Sequence, residues 1–104
     1  MQDDVIALGP GKADLLDGIR ETGSIAAAGR RMGMSYKRAW SLVETMNTCF
    51  RAPLVEAGTG GAWRGGAQLT DLGQAVLARY RAMEAAADAA TRKDMTWLKR
   101  QLRP

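Results

Sequence analysis

The sequence predicts a mainly α-helical fold carrying a small β element, on three observations. Apolar residues recur at three- and four-residue spacing through most of the chain, and glycines and capping hydroxyls punctuate that pattern. Two short stretches, Pro53–Ala57 and Ala67–Leu69, suit strands and flank a glycine-rich loop. With 104 residues and 46% hydrophobic content, the chain is long enough for one core and too short to divide between two.

Val5 to Leu8 is a short apolar run closed by Gly9, Pro10 and Gly11, which suits a brief strand or an ordered lead-in. The first helix is expected over Lys12–Thr22, where Leu15, Leu16 and Ile19 lie at helical spacing, and Gly23 suits the left-handed position that ends it. Ser24 can cap the next helix with its hydroxyl. In that helix Ile25, Ala28, Gly29 and Met32 share one face, the small pair permits close approach of another helix, and Gly33 stops it. Ser35 is the cap of a third helix running to about Asn47 or Phe50, with Ala39, Leu42, Val43, Met46 and Phe50 in one apolar stripe. The opposite face carries Lys37, Ser41, Glu44 and Thr48 and is left polar and free.

Two short helices joined by a tight glycine turn, the second presenting a polar face with cations near its start, make a helix-turn-helix. Followed by a hairpin, the unit is a winged helix. Thr70 then offers a cap and Asp71 an anion at the positive end of a long final helix. Along it Val76, Tyr80, Met83, Ala87, Ala90, Asp94 and Trp97 alternate spacings of four and three, a heptad seam. Thr91 with Asp94 can form a capping box, so a break or bend is expected near Thr91. Such a stripe exceeds what a small domain can cover, and the same helix of a second subunit is its expected cover. Residues 1–70 are read as the winged helix-turn-helix and 71–104 as a dimerisation helix packed as part of the same domain.

The charge pattern directs the functional reading. The net charge is +4, and from Ser24 to Val43 there is no acidic residue but four basic ones, Arg30, Arg31, Lys37 and Arg38. A local cationic patch of this kind favours an anionic partner. Histidine is absent, which removes the commonest general base and transition-metal ligand, so no catalytic residue, metal ligand or cofactor is assigned. The lone Cys49 is expected to be a small apolar residue near a helix end. It permits no intrachain disulfide; with an acidic N-terminus and no apolar run long enough to span a bilayer, a cytoplasmic protein without membrane contact is expected. The glycine loop Gly58–Gly66 lacks the Gly-Lys-Ser/Thr and following helix of a phosphate-binding loop, and it lacks the strand-loop-helix order of a dinucleotide fold.

The segment S24-I-A-A-A-G-R-R-M-G-M-S-Y-K-R-A-W40, then V43-x-x-M-N47, L54-V55, the glycine loop and A67-x-L-T-x-x-G73 resembles the N-terminal DNA-binding domain of the molybdate-responsive ModE regulators, itself similar to LysR-type winged helices. The resemblance covers about Leu15 to Tyr80. It implies a transcriptional regulator that dimerises through its long terminal helix and binds a two-fold symmetric operator in double-stranded DNA; the seam spacing makes Val76, Tyr80, Met83, Ala87, Ala90 and Trp97 the expected dimer contacts. It also implies a link to molybdenum or other oxyanion metabolism. Relatives sense molybdate in a C-terminal domain, and this sequence ends at Pro104 before any such domain, so a separate effector-sensing protein is one source of regulation and protein concentration another. The wing tip departs from the family, with Trp63 and Arg64 interrupting a loop that in relatives tends toward glycine and lysine.

Ser35, Tyr36, Lys37 and Arg38 stand at the start of the recognition helix, with Lys37 and Ser41 the best candidates to reach base edges and Ser35 and Tyr36 able to donate to phosphates. For Ser35, capping alone and phosphate contact are alternatives. Arg30 and Arg31 suit either phosphate contact or stabilisation of a helix end, and Arg64 on the wing suits a phosphate or minor-groove contact. Trp40 falls on the helix flank beside Asn47, where packing against the wing or a neighbouring helix is expected ahead of DNA contact. The competing reading is a dimeric winged-helix module for protein contact that reads no operator.

Overall fold

The computed structural model of the chain describes residues 8–58 and 66–104. Four helices and one hairpin follow in the order α1 (Pro10–Thr22), α2 (Ile25–Arg31), α3 (Tyr36–Cys49), β1 (Val55–Ala57), β2 (Ala67–Leu69) and α4 (Asp71–Arg100). The expected lead-in at Val5–Leu8 and the wing-tip residues Gly60, Gly61, Trp63, Arg64 and Gly65 lie wholly or largely outside the described residues.

Helix α1 starts two residues earlier than its apolar pattern suggests. Pro10 occupies its first turn, where a missing N–H removes a donor that the helix would leave unpaired anyway. Leu15, Leu16 and Ile19 are fully buried. Gly23 (φ 72°) ends α1 and Gly33 (φ 70°) makes the turn after α2, both in the left-handed region that side chains disfavour. The Ser24 Oγ accepts from Ala27 N at 3.0 Å, which starts α2. Ala28 and Gly29 are buried, and a Cβ on Gly29 would lie 2.9 Å from Ala39 Cβ, so the small pair does bring α3 close.

Within α3, Ala39, Val43 and Met46 are buried while Leu42 and Phe50 are partly buried against the same core. Lys37, Ser41, Glu44 and Thr48 are exposed, as the periodicity requires. Cys49 is the last residue of α3 and is exposed, which corrects the expectation of a buried small hydrophobe. The apolar stripe passes through Met46 and Phe50, and Cys49 falls off it.

The hairpin is antiparallel, with Val55 opposite Leu69, Glu56 opposite Gln68 and Ala57 opposite Ala67. Gly58 N donates to Gly66 O at 2.7 Å and extends the ladder by one step. On the other edge Ala67 N donates to Gly23 O at 2.8 Å, which ties the hairpin to the turn between α1 and α2. The strand begins at Val55 and not Pro53, because the Leu54 backbone is used elsewhere: its N–H is taken by Asn47 and its carbonyl by Thr70 N at 2.9 Å.

Helix α4 has 30 residues, about 45 Å at 1.5 Å per residue, in a molecule 55 Å long. Thr70 Oγ1 caps it by accepting from Gly73 N at 2.9 Å. The expected break at Thr91 is absent. Thr91 Oγ1 donates to Ala87 O at 2.8 Å within the helix and does not cap a new one. Alanine-rich sequence from Ala85 onward, free of glycine and proline until Pro104, favours continuing the helix over restarting it. Only Gly73 and Leu77 of α4 are buried. Val76 and Tyr80 are partly buried against the core, whereas every residue from Ala85 onward is exposed.

Candidate nucleic-acid interface

The start of α3 is where the cationic residues and the free polar face meet. Ser35, in extended backbone, turns its Oγ to accept from Arg38 N at 3.1 Å and thereby starts the helix. That bond uses a lone pair and leaves the hydroxyl proton available, so capping and donation to a phosphate are compatible and not alternatives. Tyr36, Lys37, Arg38 and Ser41 are all exposed around this first turn and a half. Lys37 and Arg38 make no ion pair among the described residues, and the positive end of the α3 dipole adds to their field.

The two arginines that end α2 differ. Arg30 is exposed and forms no ion pair among the described residues. Arg31 is held by Glu21 of α1, Nη2 to Oε1 at 2.7 Å, so a phosphate contact from Arg31 has to compete with that pair. Arg64 lies outside the described residues, and so does its wing-tip contact.

Tyr36 and Trp40, one helical turn apart, stack with ring centroids 6.5 Å apart and planes at 14°. Trp40 does stand beside the base of the wing, as its flank position suggests. With Tyr36 it lines a cleft of about 170 Å³ whose other walls are Ser24, Ile25 and Ala26 of the second helix and Ala57, Gly58 and Gly66 of the hairpin. Both rings remain accessible, Tyr36 at 58% and Trp40 at 36%. The i, i+4 spacing was a legible signal for this pair.

Sequence reasoning missed the residue that orients the wing. Asn47 Oδ1 accepts from Leu54 N at 2.8 Å and Val55 N at 3.1 Å, and its Nδ2 donates to Val55 O at 3.1 Å. One carboxamide thus joins the end of α3 to the first strand of the hairpin. Its advance signs were its place in the V43-x-x-M-N47 motif and an amide on the helix flank eight residues before the strand.

The backbone as a whole is similar to a chain in the crystal structure of the CbnR_DBD–DNA complex, with a TM-score of 0.66 over 86% of this chain and 98% of that one at 21% identity. No protein-family model matches. Over 79 residues the chain is 44% identical to the molybdenum-pterin-binding protein MopA of Rhodobacter capsulatus, covering 76% of this chain and 30% of that protein. Over 71 residues it is 41% identical to the DNA-binding transcriptional dual regulator ModE of Escherichia coli K12, covering 68% of this chain and 27% of that protein. The chain is a ModE-like winged helix. It spans about three-tenths of the length of the curated relatives it matches, among them the molybdenum transport protein ModE of Azotobacter vinelandii at 44% identity. In this ModE-like chain the quoted T-x-x-G motif acquires a physical meaning. Thr70 caps α4, and Gly73 lets the helix pass the Leu54 carbonyl, since a Cβ there would lie 2.1 Å from that oxygen.

The uncovered half of α4 is amphipathic. Met83, Met95, Trp97 and Leu98 are exposed, among Arg92, Lys93, Lys99 and Arg100, and Leu102 is exposed just past the helix end. Of the seam residues, Val76 and Tyr80 pack partly on the chain's own core, and Met83, Ala87, Ala90 and Trp97 face solvent. Among the described residues no helix is long and apolar enough to cross a membrane.

Proposed function

We propose that the chain is the DNA-reading part of a transcriptional regulator, acting in the cytoplasm as a homodimer on a two-fold symmetric operator and linked to molybdenum or other oxyanion metabolism. The observation that carries this reading is the start of α3, where Ser35, Tyr36, Lys37, Arg38 and Ser41 form an exposed donor-rich and cationic face on the second helix of a helix-turn-helix. Its likeness to a DNA-binding transcriptional dual regulator supports it. Lys37 and Ser41 reach base edges, Ser35, Tyr36, Arg30 and Arg38 hold phosphates, and Arg64 contacts the strand beside the wing. Arg31 serves chiefly to join α2 to α1 and reaches phosphate only by releasing Glu21.

Residues 71–104 supply the dimer contact. Apolar side chains such as Met83 and Trp97, left at 62% and 59% exposure on a projecting helix, gain most from burial against the same helix of a second copy. A separate effector-sensing protein is a further proposed partner. The chain performs no catalysis in this reading.

The test is selection of a duplex from randomised oligonucleotides, followed by affinity measurements from low to physiological salt, with and without molybdate. A preferred palindromic site whose affinity falls steeply with salt is expected, because each neutralised phosphate releases condensed counterions. Binding that ignores sequence and salt overturns operator reading and favours a protein-contact module. Sedimentation at micromolar concentration is expected to give a dimer, and a monomer overturns the role given to α4.

A further inference from the structure

The rings of the stacked pair Tyr36–Trp40 bring no cation to the positive face of α3, yet they are kept at the surface. Fully burying two large aromatic rings stabilises a small domain, and this chain leaves them open beside its cationic turn. Among the described residues, the cleft they line carries no charged side chain. Its margin does: Lys37 and Arg38 stand on the same helical turn as Tyr36, and no acidic residue occurs between Ser24 and Val43. An uncharged, partly aromatic trough with cations along its edge matches a molecule that is apolar in the middle and anionic at its rim. A nucleic-acid strand has that form, with deoxyribose rings between phosphates.

The cleft also has the right place. It runs between the start of α3 and the base of the hairpin, formed by Ala57, Gly58 and Gly66. If α3 enters the major groove and the wing lies over the neighbouring groove, the sugar–phosphate strand separating those grooves passes between them. We propose that Trp40, braced by Tyr36, packs on deoxyribose of that strand and fixes the register of α3 in the groove. The inference rests on the DNA-binding reading above and assigns to it a contact that no cation makes. The rings' stacking limits the rotamers of Trp40, so little conformational freedom is lost on contact.

A non-ionic contact and an ionic one leave different traces. Trp40→Ala is expected to weaken binding to the selected operator about tenfold while leaving the slope of affinity against salt unchanged. Trp40→Phe, which keeps an apolar ring, is expected to recover most of the loss. Replacing thymine by uracil through the half-site is expected to weaken wild type and Trp40→Ala equally. A loss confined to wild type instead assigns the ring to a thymine methyl and overturns the sugar contact.

Because Trp40→Ala also removes a packed ring, a second readout uses the chain with its own three tryptophans labelled as 5-fluorotryptophan. The resonance of Trp40, assigned through Trp40→Phe, is expected to lose its solvent isotope shift when operator is added. Retention of that shift in a complex that has formed overturns this inference and leaves operator reading intact. Failure of the wild-type chain to bind any duplex overturns both.

Discussion

Asn47 and Val55 exchange hydrogen bonds in both directions, the Asn47 Oδ1 accepting from Val55 N and its Nδ2 donating to Val55 O, each at 3.1 Å. With the further bond from Leu54 N at 2.8 Å, the side chain replaces a missing third strand along this edge of β1. A single side-chain amide therefore ties the first strand of the hairpin to α3.

Asn47→Ala leaves two part-buried N–H groups and a carbonyl without that partner. A loss of about 1–3 kcal/mol of stability is expected, the range for orphaned buried polar groups. Amide exchange at Leu54 and Val55 is expected to accelerate more than exchange in α1. Uniform acceleration throughout the chain would assign Asn47 a general and not a local role.

Gly73→Ala tests two opposed effects. Alanine favours a helix over glycine by about 1 kcal/mol, but here its Cβ would stand 2.1 Å from the Leu54 carbonyl oxygen, which itself accepts from Thr70 N. Backbone is the obstacle, so no side chain can turn aside. A net loss of about 2 kcal/mol is expected in urea unfolding, from overpacking that exceeds the propensity gain. An unchanged or raised midpoint would mean that α4 can shift freely on the hairpin.

Arg81 joins α4 to α1 through Asp14 at 2.7 Å and Asp17 at 2.5 Å, and to Glu84 on its own helix at 2.9 Å. Burial alone would push the Asp17 carboxyl up; the hydrogen bonds and charges of Arg81 and Arg20 outweigh it and hold the group below its ordinary value of 3.8. A carboxylate whose folded value is depressed stabilises fully above its unfolded value, and that contribution is lost as pH falls through the folded one. Asp17→Asn is expected to lower stability by about 1 kcal/mol near neutrality, allowing for solvent screening of so exposed a pair. The difference from wild type is expected to shrink below about pH 4. A difference constant from pH 7 to pH 2 would show that charge is not its source.

Lys37→Ala is expected to reduce operator affinity more than Lys99→Ala, with both variants folded. If Lys37 lies against phosphate, the salt slope falls by about one unit; if it reads a base edge, preference at one operator position relaxes. Titrations at several salt concentrations against matched and singly altered duplexes distinguish the two. Equal affinity of wild type and Lys37→Ala removes this residue from the interface.

Local chemistry accounts for what the sequence by itself determined about this protein. Ser24, Ser35 and Thr70 cap helices by bonding backbone N–H groups three residues ahead, and Gly23 and Gly33 adopt left-handed backbone beside the helices they end. Such events occur within a few residues, so they can be read along the chain; so can the polar face of α3, which follows from helical periodicity. At the same local level the Thr91 hydroxyl, able to cap, instead bonds back to Ala87 O because nothing nearby interrupts the helix. Tertiary structure alone decided which distant partners meet. Arg81 lies 64 residues from Asp17, Asn47 meets the backbone of Leu54 and Val55 across the turn that follows α3, and Trp40 gains its cleft only when α2 and the hairpin close around it. No pattern in one dimension specifies these, because the free energy of each depends on how the packed core aligns elements that the chain itself keeps far apart.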